Sequence, residues 1–135
     1  MSNIKLGKQE VIHFVGIGGI GMSGLAQIMK TMGFKIQGSD INKNKNTENC
    51  KKLNIKISIG HKRNNVNKVT ILVKSSAIKS NNVELLEAKR NNIPIYDRIE
   101  MLANIIDLKK KIIITGSHGK TTTTSLVAQI ISTAK

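Results

Sequence analysis

Aromatic side chains are nearly missing from these 135 residues: Phe14, Phe34 and Tyr96 are the whole set, and there is no tryptophan. Single-strand nucleic-acid binders stack bases on aromatic platforms, so this scarcity weighs against that class despite a formal net charge of +14. Acidic residues are also few, eight against 22 basic ones, but 19 of the basic residues are lysines scattered along the chain. The joint excess of Lys, Asn and Ile reads as drift in an AT-rich coding sequence, and no nucleic-acid partner is expected. Cys50 is the single cysteine, which excludes an internal disulfide or a metal cluster built on cysteine; it reads as a small apolar residue on a helix. No apolar run approaches the roughly 18 to 20 residues of a membrane span, and Met1–Lys5 lacks the apolar region of a signal peptide. A cytoplasmic chain without a membrane partner is expected. Its length suits one domain with a real core and is too short for two complete ones.

Glycine, by contrast, is concentrated where chemistry is expected. Val11–Val15 is a short apolar strand running into Gly16-Ile17-Gly18-Gly19-Ile20-Gly21, in which Gly16, Gly18 and Gly21 match G-x-G-x-x-G. Met22, Leu25, Ala26, Met29 and Met32 then form the apolar stripe of a helix packed on a sheet, and Gly33 ends that helix. A second strand, Phe34 to Gln37, finishes at Gly38-Ser39-Asp40 and completes a βαβ unit. Asp40 stands 19 residues past Gly21, where a dinucleotide fingerprint places its ribose acceptor. A glycine turn with an N-capping Asp and no ligand is the alternative.

The middle of the chain continues the alternation. Asn42–Asn46 is a polar loop; Thr47 is expected to cap a short helix carrying Cys50 and Leu53, with Asn54 as its left-handed C-cap. Ile55, Ile57 and Ile59 alternate as a strand before Gly60-His61, and His61 is either a ligand-facing or an exposed loop histidine. Val69–Val73 reads as a central strand, apolar on both faces, ending in Ser75-Ser76-Ala77-Ile78. A helix over 82–89 is expected to turn Val83 and Leu86 inward, with Leu85 as a further candidate. Ile93–Tyr96 reads as a short strand, at an edge if Pro94 lies within it. Residues 97–106 then form an amphipathic helix with Ile99, Leu102, Ala103 and Ile106 on one stripe, followed by a charged hinge over 107–111 and a domain boundary near residue 109.

A second glycine loop follows. Ile112-Ile113-Ile114 reads as a buried strand that breaks into Gly116-Ser117-His118-Gly119-Lys120-Thr121-Thr122 before an apolar-periodic helix. Gly116 and Gly119 let backbone N–H groups turn towards an anion at a helix N-terminus. Lys120 supplies a mobile cation for β- and γ-phosphates, and the Thr121 hydroxyl sits where such loops hold Mg²⁺. Only Ser117 and His118 separate the two glycines, one departure from G-x-x-x-x-G-K-[ST]. A plain glycine turn capping a Thr-rich helix is the alternative.

Two phosphate loops about a hundred residues apart narrow the field. Taken with Gly38-Ser39-Asp40, Gly60-His61, Ser75–Ile78 and Arg98-x-Glu100-Met101-Leu102, they make the chain resemble the Mur ligase family of peptidoglycan synthesis over nearly its whole length, and within it the branch that adds the first amino acid. His118 within the phosphate loop is characteristic of that branch and of the murein tripeptide ligases. The resemblance implies an α/β, Rossmann-like, doubly wound and mainly parallel sheet over residues 1–108, followed over 109–135 by the first strand, P-loop and helix of a truncated ATP-binding domain. It implies a C–N ligase that uses ATP and Mg²⁺ to join L-alanine to the carboxylate of UDP-N-acetylmuramate through an acyl phosphate. The UDP-sugar would lie at Gly16, Gly18, Gly19 and Gly21, near Ser39, Asp40, His61, Ser75 and Ser76. ATP would lie at Gly116, Ser117, His118, Gly119, Lys120, Thr121 and Thr122, with Lys120 and Thr121 catalytic and Thr121 on the metal.

Two positions depart from the family pattern: Val83 replaces a proline in Asn-Pro-Glu, and Asn54 replaces a glycine. The sequence also ends one helix past the second loop, so the chain is expected to be inactive alone, with the missing ligase domains on another chain as one possible partner. A stand-alone nucleotide-sugar-binding module without catalysis is the alternative. A nicotinamide-dependent oxidoreductase would rest on Gly16 to Asp40 alone and leaves the second loop unexplained.

Overall fold

The computed structural model describes residues 4–115. Five strands, β1 (Val11–Val15), β2 (Lys35–Asp40), β3 (Lys56–Ile59), β4 (Ile71–Lys74) and β5 (Ile95–Asp97), form one sheet in the order β3-β2-β1-β4-β5. Every pairing is parallel. Helices α1 (Ile20–Thr31), α2 (Lys45–Lys52) and α3 (Val83–Arg90) lie in crossovers between strands, and α4 (Arg98–Thr115) follows β5. Parallel strands need such crossovers, and helices on both faces bury the sheet twice. The expected α/β, doubly wound fold is what forms.

Side-chain alternation sorts the core into two layers. Ile12, Phe14, Ile36, Ile71 and Val73 point to one face, with Met22, Leu25, Ala26 and Met29 of α1, Cys50 of α2, and Met101 and Ile105 of α4. Val15 and Leu72 point to the other, with Leu85 and Ala88 of α3 and with Val66 in the 3₁₀ turn Arg63–Val66. Burial pushes the Cys50 thiol up to about 11, which keeps it protonated and inert.

Helix ends show which local expectations hold. Gly33, at φ +100°, follows α1, and Asn54, at φ +63°, follows α2 in the left-handed conformation expected of it. The α2 cap itself differs. Asn44 is the N-cap and Thr47 sits at the third helical position, each side chain accepting from the other's backbone N–H at 2.9 Å. A reciprocal capping box satisfies two orphan N–H groups, where Thr47 alone would satisfy one.

Two apolar faces lie in a different register from the expected one, and one expected strand is helical. In α3, Leu85 and Ala88 are buried while Val83 and Leu86 are exposed, because Glu84 turns the helix so that its carboxylate enters the core. In α4, Met101 and Ile105 are fully buried and Ile99 is 65% exposed. Asp97 and Glu100 cap this helix reciprocally, which fixes where its first turn begins and moves the stripe by one position. Finally, α4 runs without a break through 107–111 to Thr115, so residues 112–114, expected as a strand, are helical. A strand needs a partner strand for its N–H and C=O groups, whereas a helix satisfies them internally. Pro94 directly precedes β5 at the sheet edge, as its missing N–H requires.

Candidate functional site

The sheet order reverses direction at β1, with β2 on one side and β4 on the other. Ligands of open α/β sheets bind outside the strand C-termini at such a switch point. Here the loop after β1 meets the loop after β4. Gly16, at φ +87°, leaves room for Ser75: a Cβ on Gly16 would stand 3.0 Å from the Ser75 Cβ. Ser75 donates its N–H to Val15 O at 3.1 Å, and its hydroxyl accepts from Ala77 N at 3.2 Å. Ser76 is exposed beside it.

The loop is held from both sides. The N–H groups of Gly16 and Ile17 donate to Ser39 O at 2.9 and 3.0 Å. Gly18 N–H donates to Asp40 Oδ2 at 2.7 Å, while Gly18 O accepts from Asn44 Nδ2 at 3.1 Å and Asn46 Nδ2 at 2.9 Å. The other Asp40 oxygen accepts from Ile41 N at 2.7 Å. Asp40 therefore grips the loop backbone, and Gly18 must be bare for it to do so: a Cβ there would lie 2.7 Å from Asp40 Oδ2. At the far end of the loop, α1 opens on Gly19, which offers no capping side chain, and its first turn has no acidic residue. The N–H groups of Ile20, Gly21 and Met22 have no acceptor among the described residues. These free donors and the helix dipole make an anion site.

Behind Ser39 lies a buried polar cluster that the sequence reading missed. Glu84, fully buried, accepts at Oε1 from His13 Nε2 and Ser39 Oγ, both at 2.7 Å. Its Oε2 accepts from Asn65 Nδ2 at 2.7 Å, Lys62 N at 3.0 Å and His61 Nδ1 at 3.3 Å. Burial pushes the Glu84 carboxyl up, but hydrogen bonds from His13, Ser39 and Asn65 outweigh it and hold the group down at about 2. Gln37 stands opposite His13 in the β1–β2 pairing. Its amide donates to His13 Nδ1 and to Asn65 O, both at 2.9 Å, so the His13 proton sits on Nε2, facing Glu84.

The Ser39 proton goes to Glu84, so the Ser39 oxygen accepts from His61 Nδ1 at 3.1 Å. That leaves His61 Nε2 as a bare acceptor, the one buried side-chain polar atom without a partner among the described residues. Ser39 itself is buried and acts through its neighbours. The structure thus gathers Gly16, Gly18, Gly19, Gly21, Asp40, Ser75 and Ser76 at the strand C-termini, with Ser39 and His61 in the layer behind the loop. Residues 116–135, and with them the whole second glycine loop, lie outside the described residues.

Residues 11–110 match the family model described as "Mur ligase family, catalytic domain". The chain belongs to the Mur ligase family. The UDP-N-acetylmuramate–L-alanine ligase of Pelagibacter ubique is 65% identical over 132 residues, 98% of this chain and 28% of that protein. The ligase of the same name from Aquifex aeolicus is 55% identical over 90% of this chain and 27% of its own length. Among solved structures, the UDP-N-acetylmuramate-alanine ligase of Thermotoga maritima superposes with a TM-score of 0.71 at 33% identity, covering 74% of this chain and 23% of that one. This Mur ligase chain thus spans about a quarter of the length of the curated relatives it matches. None of the described helices is long and apolar enough to cross a membrane.

Glu84 left one signal in the sequence: an acid at the start of a helix in a chain short of acids. The partners of His13 left none, because its role depends on two strands and a helix meeting.

Proposed function

We propose that this Mur ligase chain holds UDP-N-acetylmuramate for an ATP-dependent ligation to L-alanine. The observation that carries the reading is the loop at Gly16–Gly21, which sits at the topological switch point with three N–H groups free at the start of α1. A diphosphate satisfies those donors and meets the positive end of the helix. Asp40, Asn44 and Asn46 hold Gly18 in place beforehand, so little loop ordering remains when ligand binds. Ser75 and Ser76 border the same crevice, and Ser39 and His61 would back the loop from the layer behind it.

The second part of the reading rests on the sequence of residues 116–122 and on the relatives' names. Gly116, Ser117, His118, Gly119, Lys120, Thr121 and Thr122 would hold ATP, with Thr121 on Mg²⁺. ATP supplies the phosphoryl group that activates the sugar carboxylate towards the amine of L-alanine. Lys120 and the loop amides stabilise charge on the group in transfer. Residues 1–108 are the UDP-sugar unit in this proposal, and 109–135 open the ATP-binding one.

A nicotinamide dinucleotide is the competing ligand for a G-x-G-x-x-G loop. Against it stands the second glycine loop, Gly116 to Lys120, which a nicotinamide enzyme leaves unexplained. Calorimetry of the chain with UDP-N-acetylmuramate and with NAD separates the two. Binding of the UDP-sugar and none of NAD is expected; tighter binding of NAD would overturn the proposal.

A further inference from the structure

Arg98 opens α4 and lies flat against Gly21 at the start of α1. A Cβ on Gly21 would stand 3.0 Å from both Cδ and Nε of Arg98 and 3.2 Å from its Cζ. The side chain is half-buried. Its guanidinium makes no hydrogen bond or ion pair among the described residues. The nearest carboxylates in sequence are occupied elsewhere: Asp97 Oδ1 accepts from Glu100 N at 2.8 Å, and Glu100 Oε1 accepts from Asp97 N at 3.0 Å.

A cation is therefore packed against a helix N-terminus that is itself positive, carries no acid in its first turn and keeps three N–H groups free. Charge of one sign beside the same sign is unfavourable, and helix dipoles favour cations at the opposite end. The arrangement becomes favourable once an anion lies between the two. Asp40 adds a reason, since its carboxylate on Gly18 places negative charge next to the loop that would otherwise repel a phosphate. Arginine also suits the task better than the lysine that dominates this chain, because its planar fork meets two phosphate oxygens at once.

We infer that Arg98 binds the diphosphate of the nucleotide held at Gly16–Gly21, and that Gly21 is bare so that the guanidinium can lie over the helix start. The inference rests on the reading of that loop as a UDP site and adds to it the side-chain cation that the loop lacks.

Titration of the chain with UDP and with uridine, followed by ¹H–¹⁵N spectra, reads affinity and folding together. Arg98→Ala is expected to weaken UDP by about tenfold to a hundredfold, the range for a lost charge-assisted hydrogen bond, and to leave uridine within about twofold. Arg98→Lys should recover only part of the loss, since a point charge replaces a fork. Gly21→Ala keeps the arginine but displaces it, and should also weaken UDP while the spectrum stays dispersed. If Arg98→Ala loses its dispersed spectrum, Gly21→Ala decides. Parent-like UDP binding by either folded variant, or an equal loss of UDP and uridine in Arg98→Ala, would overturn the inference. A parent chain that binds no UDP would overturn the underlying reading instead, and the inference with it.

Discussion

Glycine and a single carboxylate do most at the residue scale. Gly38 has no space for a side chain: a Cβ would lie 2.5 Å from Ile17 Cδ1 and 2.9 Å from Phe14 O. The second contact is backbone and cannot move aside. Gly38→Ala should therefore lower stability by about 3 kcal/mol in urea unfolding, at the upper end of overpacking effects. At Gly18 the same change meets only the ends of Asp40 and Asn44, which can shift. Gly18→Ala should unfold within about 1 kcal/mol of the parent while losing roughly tenfold in UDP affinity, because the loop is no longer gripped.

Glu84 sets an acid limit on stability. Its carboxyl is lowered from 4.5 to about 2 in the folded chain, so the folded state favours the ionised form. That contribution is complete above about pH 4.5, declines as pH falls towards 2, and is gone below it. About 3 kcal/mol of pH-dependent stability is at stake on this limb. Glu84→Gln should unfold more easily at neutral pH and show a flatter acid limb, measured by denaturant midpoints between pH 2 and 5. An acid limb as steep as the parent's would show that another carboxyl governs it.

At the scale of elements, α4 is the informative case. Met101 and Ile105 are its buried anchors and Ile99 is its exposed residue, one position away from the apparent stripe. Met101→Ala should cost about 2 to 5 kcal/mol through the cavity it leaves, while Ile99→Ala should stay within roughly 0.5 kcal/mol. The reverse ranking in thermal unfolding would restore the register first expected from spacing. Helix α2 has a double role, since its N-cap Asn44 also holds Gly18 O. Asn44→Ala should lose about 1 kcal/mol from the lost cap and weaken UDP binding as well. An intact affinity would separate the cap from the loop.

For the whole molecule, the proposed ligand should act as a stabiliser. A ligand that binds only the folded state adds about 2.7 kcal/mol at a hundred times its Kd, which for a domain of this size raises Tm on the order of 10 °C. UDP should produce such a shift in a thermal melt and NAD none. Equal shifts would point to unspecific anion binding at the start of α1.

Strand and helix order, the doubly wound class and the loop glycines were legible along the chain, because apolar period and glycine placement are local properties of sequence. Asn54 and Gly33 could be read as left-handed positions for the same reason: one residue's backbone freedom decides them. What only the tertiary structure decided is how residues far apart share a task. The ribose reading of Asp40 came from spacing, and the fold adds that its carboxylate also holds Gly18 N–H; Ser39, read only as a loop neighbour, also gives its proton to Glu84. The strand at 112–114 failed, since three β-branched residues fix a preference but only neighbouring strands can satisfy their backbone. His13, Gln37, Ser39, His61, Asn65 and Glu84 come from two strands, a loop, a 3₁₀ turn and a helix start; no spacing along the chain encodes their meeting, because burial and charge compensation exist only once the sheet has closed its two faces.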